Sequence, residues 1–136
     1  MRVNRDRHDR GVAPDGSTWK ELSPLTLAQG SRKGGPLNKT GRMLQSFHYQ
    51  VANDTLALGF DGARDGKLAG FHHFGTDPYT IRTTHKAVLA FAGIVARRVN
   101  HPGLPQRQLV GFPDSDQKLT AEVTADHLTR VLNRVR

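Results

Sequence analysis

The chain has 136 residues, 36% of them hydrophobic and none of them cysteine, with 20 lysines and arginines against 12 acidic residues for a net charge of +8. That length supports one domain with a core of its own, and the missing cysteine excludes disulfides, thiolate metal centres and a cysteine nucleophile. No apolar run approaches the roughly 20 residues of a membrane span, and Met1 to Arg7 lacks the apolar stretch of a signal peptide. The expectation is therefore a soluble protein of the cytoplasm with no membrane partner.

The first ten residues, within a segment over 1–12, alternate charge without apolar periodicity. They are expected to be a flexible basic arm, or the frayed end of a helix, ahead of a single domain over 13–136. Asp15-Gly16 makes a turn, and Trp19, the one tryptophan, follows it. Ser23-Pro24 predicts a short helix, with Ser23 as N-cap and Pro24 in the first turn. Ser31 to Pro36 reads as a basic loop. Met43, Leu44 and Phe47 share a helical face. The period then changes, because Phe47, Tyr49 and Val51 alternate with His48 and Gln50. With a turn at Asn53-Asp54 and a second strand over 55–60, this predicts a β-hairpin. Lys67 to Phe74 suits a short helix stopped by Gly75.

Residues 84–99 are ambiguous. Val88, Leu89, Ala92, Val95, Ala96 and Val99 fall on one helical face, yet Ala92-Gly93 also suits the turn of a hairpin. After Pro113, Asp114 or Ser115 caps a long helix bearing Leu119, Val123, His127, Leu128, Val131, Leu132 and Val135, spaced as one buried face requires.

The positive charge is unevenly placed. From Pro78 to Pro113 there is no acidic residue, while Arg82, Lys86, Arg97, Arg98 and Arg107 are basic. Arg32, Lys33, Lys39 and Arg42 form a second stretch without a carboxylate. Arg32, Lys33, Lys39, Arg42, Arg97, Arg98 and Arg107 are accordingly the candidate interface for an acidic protein or for DNA.

Chemistry is harder to place. His72-His73 has no H-x-H or H-x-x-x-H spacing, and adjacent histidines point in different directions, so a metal site is not expected. No serine lies in a G-x-S-x-G turn. Lys39-Thr40 ends no phosphate-binding loop, since the glycine spacing of that motif is absent. The expectation is a protein without cofactor, metal or catalytic residues. A basic nucleic-acid-binding protein is the alternative, although no helix-turn-helix or stacking-aromatic pattern occurs.

Four segments in order carry a resemblance. Ala13 to Thr26 is similar to P-D-G-x-x-W-x-x-L-S-P-x-T, and Leu37 to Phe47 to T-G-x-L-x-x-S. Ala69 to Gly75 is similar to H-Q-[FY]-G, and Pro105 to Asp116 to A-R-P-[FL]-L-G before an acidic helix start. Together they resemble the phage virion morphogenesis family, the tail-completion proteins of Mu-like and related tailed phages. Gln106 and Gln108 depart from the family's alanine and proline, and its N-terminal helix looks largely missing here.

The resemblance implies strands within 86–99 and an α+β fold, with a small, mostly antiparallel sheet of hairpins and a long C-terminal helix packed on it. It singles out Asp15, Gly16, Trp19, Leu22, Gly41, His72, Phe74, Gly75, Pro105 and Gly111 as structural motif residues. Trp19, Leu22, Phe71 and Phe74 are expected to pack the domain. The implied function is structural: tail completion or head–tail joining, at the tail terminator or neck. The implied partners are copies of itself in a ring, with six as the expected number, tail-tube or neck proteins, and packaged DNA at the joint. The implied location is the host cytoplasm during assembly and then the virion.

Overall fold

The computed structural model describes residues 2–28, 30, 35–53, 55–84, 87–91 and 93–134. Met1, Ser31, Arg32, Lys33, Asp54, Lys86, Ala92 and Val135, named above, lie outside them. The elements in order are α1 (Arg2–Arg10), α2 (Pro24–Leu27), α3 (Arg42–Gln45), β1 (Phe47–Ala52), β2 (Thr55–Phe60), α4 (Ala63–Phe74), β3 (Tyr79–Arg82), β4 (Leu89–Phe91), β5 (Ile94–Ala96), β6 (Arg98–His101) and α5 (Asp114–Arg134). The fold class is α+β, as expected.

The strands form three two-stranded antiparallel ladders, β1–β2, β3–β6 and β4–β5. The hairpin over 47–60 pairs Phe47 with Phe60 and Val51 with Leu56. Residues 84–99 resolve in favour of strands: β4–β5 is a hairpin nested inside the β3–β6 pair. Its turn contains Gly93 at φ 78°, a conformation glycine adopts without steric cost. One helical turn cannot do this, so backbone turn chemistry outweighs the helical apolar spacing here.

The expected arm is a helix. Residues 2–10 form α1, and His8, only 5% exposed, meets the Trp19 ring edge-on at 5.3 Å. Arg7 reaches Asp116 in the first turn of α5 through two contacts of 2.6 and 2.7 Å. Polarity concealed this helix, since tertiary contacts hold it and no apolar stripe announces it.

The core is small: Ala13, Trp19, Met43, Ala69 and Leu109, flanked by Leu37, Phe60 and Val110. Helix α4 buries Asp65 and Ala69. Phe71 and Phe74, expected to pack the domain, are 54% and 77% exposed. At 100° per residue they fall on the side of α4 opposite Asp65 and Ala69.

Helix α5 is present, but it does not pack on a sheet. Every residue from Gln117 to Arg134 is exposed. The helical wheel gives a reason: Leu119 and Val123 fall beside the charged row Lys118, Glu122, Asp126, Arg130 and Arg134, whereas Leu128, Val131 and Leu132 fall opposite it. The apolar positions thus do not make one stripe for one core. The whole chain exposes 10392 Å², where a compact monomer of this mass exposes roughly 7,000 Å².

Candidate functional site

The four segments that resemble the family converge on one strut, Pro105 to Gly111. The first segment builds a tight turn. Asp15 accepts hydrogen bonds from the Ser17 backbone N–H at 2.9 Å and its hydroxyl at 2.7 Å, and Gly16 adopts φ 89°. The Ser17 hydrogen bonds hold the Asp15 carboxyl below its ordinary value. The turn directs Trp19 inward, where it is 5% exposed and donates from Nε1 to the Gln108 carbonyl at 3.1 Å.

From the other side, the Arg107 N–H donates to the His72 carbonyl at 2.7 Å, and the Leu109 N–H donates to His73 Nδ1 at 3.2 Å. The Arg107 guanidinium, 4% exposed, donates to the Lys20 carbonyl at 2.7 Å and the Glu21 carbonyl at 3.1 Å. Glycines permit the close approaches. A Cβ on Gly111 would lie 2.8 Å from the Pro14 side chain, and one on Gly75 (φ 75°) 2.9 Å from the Leu104 carbonyl. Met43, following the N-cap Gly41 at φ 78°, brings the second segment into the same core.

Beside the strut lies a groove of about 800 Å³, walled by Leu22, Leu37, Leu68 and Leu104, with His72 and Arg107 among its lining residues and Lys20 and Lys39 also bordering it. Burial and, secondarily, the Arg107 charge push the His72 imidazole below its ordinary value. Ser23, also in the wall, is engaged as the α2 cap: its Oγ accepts the Thr26 N–H at 3.2 Å. Among the described residues, no group of three His, Asp or Glu side chains could hold a metal ion. The groove can seat apolar side chains beneath a basic rim.

The model of the phage virion morphogenesis family matches residues 1–129 of the 136. The chain belongs to this family. No curated protein and no solved structure matches the chain. The family match spans all four converging segments and includes the residues of α1. The family is a structural one, and the chain's role is in assembling the phage virion.

Against that role, the expected basic interface divides. Arg107 belongs to the fold, buried against backbone carbonyls. Arg42 pairs with Asp65 at 3.0 Å, at the start of α4. Lys39 borders the groove. Arg97 and Arg98 are exposed, and Arg98 stands directly across from Arg82 in the β3–β6 ladder. Like charges placed so disfavour the ladder, so this pair was missed as a unit: the sequence shows two arginines sixteen residues apart and not their register.

The motif residues divide similarly. Trp19 and Gly111 are core and close contact, Leu22 is half-buried in the groove, Pro105 is half-buried, and Phe74 is an exposed apolar residue. Other exposed apolar residues went unnoticed as surface, among them Tyr49, Val51, Leu56, Ile94 and Val95. Alternation marks the buried side of a strand pair but does not reveal whether anything covers it.

Proposed function

We propose that this virion assembly protein acts in tail completion or head–tail joining, as a ring of identical subunits at the head-proximal end of the tail, with six as the expected number. The observation that carries the reading is the uncovered surface. The chain exposes 10392 Å², roughly 3,300 Å² more than a compact monomer of its mass. Each subunit of a ring takes part in two interfaces and contributes half of each. The area it loses equals one whole interface, and obligate interfaces run about 2,000–5,000 Å². Identical subunits joined head to tail through different surfaces close into such rings.

The partners in this reading are copies of the chain itself and the tail-tube or neck proteins above and below. The Arg82, Arg97 and Arg98 cluster faces acidic neighbours or the DNA passing through the joint. That cluster also favours the second reading, a nucleic-acid-binding protein, whose affinity for duplex DNA alone would fall steeply with salt. Adding the purified protein to a lysate of phage lacking its gene tests the first reading. Recovery of infectious particles from separate heads and tails is expected, and no recovery beside intact heads and tails counts against it.

A further inference from the structure

Among the exposed apolar surfaces of the described residues, two match. In the β1–β2 hairpin the directly opposed pairs Phe47 and Phe60, Tyr49 and Leu58, and Val51 and Leu56 point to one side of the pleat. This face starts in the core, where the Phe47 and Phe60 rings lie 5.2 Å apart. It runs outward until Tyr49, Val51 and Leu56 are 55%, 66% and 54% exposed. The other face carries His48, Gln50, Ala52, Thr55, Ala57 and Gly59. A two-stranded hairpin with one apolar side has little stability without a covering element.

The second face is on α5. Its charged row, Lys118, Glu122, Asp126, Arg130 and Arg134, recurs every four residues, and Ala121, Leu128, Val131 and Leu132 lie opposite with Thr124 among them. All four of these apolar residues are exposed.

We propose that the apolar face of α5 in one copy lies across the apolar face of the β1–β2 hairpin in the next copy, and that this contact joins the subunits of the ring. The proposal rests on the ring reading and names its contact. The dimensions agree: Leu128 to Leu132 spans about 6 Å at 1.5 Å per residue, and the uncovered stretch from Tyr49 to Val51 about 7 Å at 3.4 Å per residue, since Phe47 itself is buried. The two surfaces differ and sit on one chain, so each copy offers a helix and receives one, as a closing head-to-tail assembly requires. The roughly 3,300 Å² of surplus surface suffices for an obligate contact of this kind. A symmetric pairing of two α5 helices would engage mainly Leu128, Val131 and Leu132 and leave the hairpin uncovered. Neither face carries a basic residue, so a polyanion does not fit them.

The absence of cysteine gives a direct test in the full-length chain. Val51→Cys and Leu128→Cys, each with a single thiol and one of them tagged, are mixed and treated with a short bismaleimide, with sedimentation run in parallel. A cross-link between the two variants, strong in the mixture and weak in either alone, is expected. A ring whose only cross-links join Leu128→Cys to itself, or a ring with none, overturns the contact and leaves the ring standing. A monomer without cross-links overturns both. The double variant Leu128→Asp, Leu132→Asp should raise the concentration needed for assembly at least about tenfold. Its melting temperature as a monomer should stay unchanged, because both side chains are exposed. A ring that persists in this variant overturns the contact as well.

Discussion

Arg7 and Asp116, 109 positions apart, form a two-pronged ion pair with side chains only 12% exposed. The pair ties α1 to the first turn of α5, the element whose remaining length touches little else. It also raises the Arg7 guanidinium above its ordinary value and holds the Asp116 carboxyl below 3.8, chiefly through their hydrogen bonds. A carboxyl with a depressed value stabilises the fold above its unfolded value and loses that contribution as pH falls through the folded one. Asp116→Asn should therefore cost about 1–2 kcal/mol near neutral pH. The difference from the parent should shrink as pH drops below about 4, read by urea unfolding at several pH values. A constant difference across that range contradicts the role given to the pair.

Arg107 is a fastener of the fold. Its guanidinium donates to two carbonyls from a site 4% exposed, and burial pushes it below its ordinary value. Arg107→Ala should destabilise by roughly 3–5 kcal/mol, since charge-assisted hydrogen bonds are lost and two carbonyls are left unpaired. Arg107→Lys keeps the charge without the planar fork and should recover only part of this. Denaturant unfolding checks both, and a lysine variant as stable as the parent contradicts the assignment.

His8 and His72 make the fold sensitive to mild acid. Burial pushes both imidazoles below 6.5, and Arg107 adds to the effect at His72. Each takes up its proton at a lower pH in the folded chain than in the unfolded one, so the unfolded chain takes up protons first as pH falls through about 6.5. Stability should therefore decline from pH 7 toward pH 5. Neither ring nitrogen of His8 has a partner among the described residues, so His8→Phe should fold and remove its share of the slope. An unchanged slope in that variant would show that His8 is not the sensor.

Two glycines should behave in opposite ways. A Cβ at Gly111 meets the Pro14 side chain at 2.8 Å, whereas one at Gly70, within α4, meets nothing within 4 Å. Gly111→Ala should destabilise by about 1–3 kcal/mol, and Gly70→Ala should stabilise by up to about 1 kcal/mol through helix propensity. Thermal melts followed by the fluorescence of Trp19 separate the two.

Local chemistry was legible in the sequence. Ser23 and Pro24 cap α2 as their types require, Asp15-Gly16 turns the chain, and alternation located β1 and β2. The four family-like segments also proved to be one structural unit, because residues that pack on each other are constrained together. What stayed hidden depends on long-range partners. Helix α1 is held by His8 against Trp19 and by Arg7 on Asp116, and no local pattern announces either contact. Arg107 looked like surface charge because burial of a guanidinium depends on carbonyls 86 and 87 positions away. The apolar positions of α5 read as buried, since amphipathicity shows that a face needs a cover and not whether the same chain provides it.

The most direct measurement is electron microscopy of a lysate from a phage or induced prophage lacking this gene. The account predicts full heads beside separate tails, some of abnormal length. Normal joined particles would contradict a role in tail completion or head–tail joining.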